Sequence, residues 1–129
     1  MSNRKISSTN LRNEQFILES CDLTYSVYLI GGRWKLLILC HLQEGKHRFS
    51  EIRNLIPGIT ERMLTLQLKE MEKDGLVKRT VYAAVPPHVD YRLTDLASEL
   101  IPIWDLLTQW GNKHRKAQKS SCLVVDTSV

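Results

Sequence analysis

The sequence predicts an α+β fold that is mainly helical. Apolar residues recur at helical spacing along most of the 129-residue chain, and Gly and Pro cut that pattern into short segments. One stretch rich in β-branched residues, between positions 76 and 93, runs out and returns. The length suits a single domain with a real core. Its expected bounds are residues 11–117, with flexible tails at 1–10 and 118–129.

The elements follow in order. Leu11–Ser20 forms a short helix anchored by Phe16 and Ile17. Asp22 opens a second through Tyr25, Val27, Tyr28 and Ile30, which Gly31-Gly32 ends or bends. Arg33–Gln43 reads as a helix burying Trp34, Leu37, Ile38 and Leu42, with Gly45 as its left-handed stop. Phe49–Leu55 is a short helix, with Phe49, Ile52 and either Leu55 or Ile56 inward. Pro57-Gly58 then forces a turn.

The next helix, over 60–74, carries two faces. Thr60 caps it, Glu61 suits its positive end, and Gly75 closes it. Leu64, Leu68 and Met71 sit at i, i+4 and i+7 and form one apolar stripe, while Arg62, Thr65, Leu66, Lys69 and Lys73 lie largely away from it. Leu76–Tyr82 and Val89–Leu93 read as two strands, separated by a tip containing Pro86-Pro87. Helix, short helix, turn and helix make a helix-turn-helix, and the two strands over 76–93 make it a winged one.

Thr94 caps a final helix to about Lys116, which Pro102 is expected to kink. Leu96, Leu100, Ile103, Leu107 and Trp110 recur at helical spacing, and Ile101, Trp104 and Leu106 widen the face. That is more apolar surface than one neighbour can cover. The final helix is expected both to close its own core and to pair with a second copy, with Phe16, Ile17, Leu100, Ile103, Trp104, Leu107 and Trp110 as the dimer interface of a two-fold homodimer.

A helix packed on one side and bearing Arg, Lys and Thr on the other can enter a DNA major groove. Thr60, Arg62, Met63, Thr65, Leu66 and Lys69 form the expected reading set. Arg and Lys donate to guanine, and Thr and Leu contact thymine methyls. Met63 could equally pack in the core. The backbone set is Lys35, Arg48, Arg53, Arg79, His88 and Arg92, near helix starts or on the wing, where phosphate contacts position a protein. A net charge of +4 and a pI of about 9.1 are compatible with nucleic acid without establishing it. The alternative is a winged helix that docks a protein and binds no specific DNA.

Other classes find no support. The densest apolar run, Leu36–Cys40, is far short of the roughly 18–20 residues a membrane span requires. The N-terminus is polar and lacks the apolar core of a secretory signal, so a cytoplasmic protein is expected. Three widely spaced cysteines, with His41, His47, His88 and His114 at no ligand spacing, suggest neither a disulfide framework nor zinc. No paired carboxylates, Ser/His/Asp set or phosphate-binding glycine loop is visible, so neither an enzyme nor a cofactor is expected. Cys21 precedes a helix start, which favours the reactive thiolate, whereas Asp22 opposes ionisation. It is either a thiol sensor or an inert, partly buried cysteine. Cys40 is expected in helix packing. Cys122 is either a partner for an oxidised Cys21 or a free surface thiol.

The chain also resembles the HxlR-type family of bacterial winged-helix regulators, relatives of the MarR group. The resemblance rests on Cys21, IGGRWKLLIL (30–39), RFSEI (48–52), LIPGITERMLTLQLKEME (55–72), DGLVKRTVY (74–82), VPPHVDYRLT (85–94) and Trp110-Gly111. It implies a dimeric, sequence-specific transcription factor on double-stranded DNA, for which a two-fold dimer would require an inverted repeat. It implies terminal helices that form the dimer and, in some members, a cysteine at the position of Cys21 that senses electrophiles or oxidants. The chain departs from the pattern at Asp22, where Pro is usual, and at His88, where Arg is usual in the wing tip.

Overall fold

The computed structural model describes residues 8–127, with side chains described for 12–119. The order is α1 (Ser8–Ser20), α2 (Asp22–Ile30), α3 (Lys35–Leu42), β1 (His47–Arg48), α4 (Phe49–Leu55), α5 (Glu61–Lys73), β2 (Val77–Tyr82), β3 (His88–Leu93), α6 (Asp95–Ser98) and α7 (Ile101–Thr127). The mainly helical α+β prediction holds, and the winged helix-turn-helix lies in α3–β3.

The core gathers Ile38, Leu39 and Leu42 from α3, Ile52 and Ile56 at α4, and Leu64, Leu68 and Met71 from α5. Leu76, Val77, Ala97 and Trp104 close it. Each Val, Leu, Ile or Met side chain among them contributes about 1.5–3 kcal/mol by leaving water. The stripe on α5 is therefore a strong constraint on that helix's rotation.

Local signals fix the ends of α5. The Met63 amide donates to the Thr60 hydroxyl at 3.1 Å, so the predicted cap is in place. Gly75 takes a φ of +76°, where a side chain would be strained. Thr94 does more than cap. Its hydroxyl accepts from the Ala97 amide at 3.1 Å and donates to the Gly75 carbonyl at 2.7 Å, tying the start of α6 to the end of α5.

The sheet has three antiparallel strands in the order β1-β3-β2. Strand β1 was not anticipated, because two residues cannot show a period. Its pairing of His47 with Tyr91 and Arg48 with Asp90 anchors the wing to the helices. In the β2–β3 ribbon, Lys78 lies opposite Arg92, Arg79 opposite Tyr91, and Tyr82 opposite His88.

Three expectations need correction. Leu37 is exposed, and Leu39 takes the inward place on α3. Of the two alternatives at the end of α4, Ile56 is the buried one and Leu55 is exposed, which decides that choice rather than correcting it. The final helix is two: α6 ends at Ser98, and α7 starts at Ile101. Pro102 thus sits in the first turn of α7, where its missing N–H leaves no bond unmade, rather than at a kink. Helix α7 also runs to Thr127 instead of ending near Lys116. After Gly111 it meets no Pro or Gly, and Lys, Arg, Ala and Gln are good helix formers. Of the expected tails, residues 1–7 and 128–129 lie outside the described residues, as does the Cys122 side chain.

Trp104 is 4% exposed, and its indole N–H donates to Gln43 at 2.8 Å. It closes the core of its own protomer rather than facing a second copy. Trp104→Ala should cost about 3–5 kcal/mol in denaturant unfolding. A loss within about 0.5 kcal/mol, as for an ordinary surface substitution, would contradict this placement.

Candidate nucleic-acid interface

Burial of Leu64, Leu68 and Met71 turns the rest of α5 outward. Glu61, Arg62, Thr65, Leu66 and Lys69 are all exposed, together with the capping Thr60. Leu66 is 45% exposed on this face, where it could make an apolar contact in a groove. Met63 differs from the others. It is half-buried, packs against the core and accepts a bond from Gln67 Nε2 at 3.3 Å. It supports the helix more than it presents a reading group.

The expected phosphate contacts divide. The Lys35 ammonium lies 2.9 Å from the Glu70 carboxylate, and its side chain is only 14% exposed. It is taken up in linking α3 to α5 and is not presented to a phosphate. Arg53 is ion-paired with Glu61 across the turn, linking α4 to α5 while remaining half exposed. Arg48, at the start of α4, is exposed, and its amide donates to Glu51 at 2.7 Å.

Arg79 and Arg92 are both exposed, but the register places them on opposite faces of the ribbon. Arg92 shares its face with Lys78, a cation the sequence reading passed over. His88 is half-buried and stacks on Tyr82, with ring centroids 4.6 Å apart. Lys46 joins this small cluster, 5.6 Å from the Tyr82 centroid and 3.8 Å from the Asp90 carboxylate. The His88 ring thus packs within the wing. Lys46 was missed because it stands in a loop with no pattern, and only the fold brings it to the wing.

The terminal helices expose a broad apolar surface. Phe16 and Ile17 on α1, and Ile103, Leu107 and Trp110 on α7, are exposed as expected, while Leu100 is partly buried against the core. Leu23, Tyr25, Val27 and Tyr28 on α2 and Leu106 on α7 extend that surface. A groove of about 310 Å³ between α2 and α6–α7, lined by Leu29, Ile30, Leu96, Leu100 and Ile103, joins the two parts.

Cys21 is the N-cap of α2. The Thr24 hydroxyl donates to its sulfur at 3.2 Å. That bond, with the Thr24 amide behind it, holds the thiol below its ordinary value, and the Leu23 amide adds to this. Partial burial and the charge of Asp22 oppose the shift and lose. Cys40 is on the exposed side of α3 rather than in the helix packing. Partial burial of its sulfur, with Asp105 nearby, pushes its thiol upward. Among the described residues, no group of His, Cys, Asp and Glu is placed to hold a metal ion. No helix there is long and apolar enough to cross a membrane.

Comparison with known proteins agrees with this geometry. Residues 29–119 match the HxlR-like helix-turn-helix family. An uncharacterized HTH-type transcriptional regulator of Methanothermobacter thermautotrophicus is 50% identical over 101 residues, covering 78% of this chain and 77% of the relative. YdeP, an uncharacterized HTH-type transcriptional regulator of Bacillus subtilis, is 44% identical over 115 residues, covering 89% and 88%. The redox regulator HypR, in its reduced form, superimposes with a TM-score of 0.72 at 44% identity, covering 77% of this chain and 98% of HypR. These relatives are regulators and not enzymes. The chain belongs to the HxlR-like helix-turn-helix family of transcriptional regulators.

Proposed function

We propose that this chain is a homodimeric, sequence-specific DNA-binding regulator acting in the cytoplasm. Helix α5 reads the major groove of an inverted repeat, and the wing over 76–93 contacts the backbone. The observation that carries this reading is the division of α5. Its apolar stripe is buried without gaps, and the opposite face presents Arg62, Thr65, Leu66 and Lys69 to solvent. A second copy would cover the apolar surface of α1, α2 and α7. Two-fold symmetry would then set two α5 helices about one turn of DNA apart.

A thiol switch at Cys21 is compatible with this reading. Its support is the N-cap position, the Thr24 bond and the similarity to the redox regulator HypR. A lowered thiol pKa means more thiolate near neutral pH, and the thiolate is the form that electrophiles attack. Cys21→Ser should abolish any response of DNA binding to an electrophile. Thr24→Val should shift the pH at which the Cys21 sulfur is alkylated upward, because the thiolate loses a donor. A response that survives Cys21→Ser would place the switch elsewhere.

The DNA reading is tested by fluorescence anisotropy with duplex from upstream of the protein's own gene, against random duplex. Arg62→Ala should lower the preference for the specific site by about 1–3 kcal/mol. Arg79→Ala should weaken binding to both duplexes and reduce the salt slope by about one unit. Equal, weak binding of both duplexes by the unmodified protein would favour a winged helix that docks another protein.

A further inference from the structure

We infer that Glu61, held by Arg53, is a specificity-determining residue of α5 that accepts a hydrogen bond from a cytosine amino group. This inference rests on the reading of α5 as the helix that enters the major groove. Glu61 is the first residue of that helix, and residues at the start of a recognition helix are the ones that reach base edges. It is exposed and lies one turn before Thr65 on the outward side.

A carboxylate between two phosphate strands is repelled unless a cation travels with it. Arg53 supplies that cation. Its Nη1 donates to Glu61 Oε1, and about half of the side chain remains exposed. A guanidinium carries five donors in a rigid fork, so one bond to Glu61 leaves others for a phosphate. The second carboxylate oxygen of Glu61 has no bond among the described residues and can accept from cytosine N4, the one donor that cytosine offers in the major groove. Exposed ion pairs add little to stability, so the fold gives no strong reason for this one. The arrangement makes Glu61 a reader and Arg53 its positioning residue.

The test uses the full-length protein and a panel of duplexes in which each half-site position carries each of the four base pairs. The unmodified protein should prefer cytosine at one half-site position. Glu61→Gln should reduce that preference about tenfold, keep the preferences at other positions, and raise affinity for random duplex by removing a negative charge. Arg53→Lys should keep the salt slope yet weaken the same cytosine preference, because an ammonium lacks the fork. Circular dichroism melting should fall by at most roughly a few degrees in either variant, because the pair and the helix-end charge are exposed. Site preferences left intact by Glu61→Gln would overturn the role of Glu61 while leaving α5 as the reading helix. Absence of any base preference in the unmodified protein would overturn both.

Discussion

The structure depends on the one-sided burial of α5. Leu64, Leu68 and Met71 pack against Ile38, Leu39 and Leu42 of α3 and against Ile52 of α4. Rotating the helix by even one position would expose part of this stripe and turn Thr65 or Gln67 inward. Several kilocalories per mole oppose that rotation, given about 1.5–3 kcal/mol for each buried side chain. The same packing therefore holds the core together and sets which side chains face outward.

Two ion pairs refine the position of this helix. Glu70 binds Lys35 of α3, and Glu61 binds Arg53 of α4, so two of the three acidic residues of α5 are tied to the two helices that precede it. The basic residues of the chain thus do different work. Lys35 is structural, Arg53 is shared between the fold and the outer surface, and Arg62, Lys69, Arg79 and Arg92 face solvent. The wing is held at its base by the β1–β3 pairing and at its side by Lys46, which links Asp90 and Tyr82. Helix α5 and the wing share the core through Leu76 and Val77, and each has further contacts of its own.

Much of this was legible in the sequence because it rests on local rules. Thr60 and Thr94 are caps, Gly75 is a stop, and Leu64, Leu68 and Met71 show a helical period. The illegible parts depend on distance in the chain. Nothing local says that Trp104 reaches Gln43 rather than a second copy. Nothing local says that Lys35 meets Glu70, or that Lys46 lies beside the wing. Leu37 and Leu39 differ by two positions in an apolar run, so periodicity could not choose between them; packing against α5 does. The expected kink at Pro102 is instead a full break just before it: proline disfavours continuing the helix through Ser98 and is at home in the first turn of the next one.

Under the proposed function, packing of α5 presents one defined face to DNA. Amide chemical shifts of the nitrogen-15-labelled protein, recorded with and without duplex from upstream of its own gene, test this most directly. The account predicts large shifts confined to residues 60–69 and to the wing at 78–92, with the apolar surface of α1 and α7 unperturbed. Shifts concentrated on α1 and α7, with α5 unchanged, would contradict it.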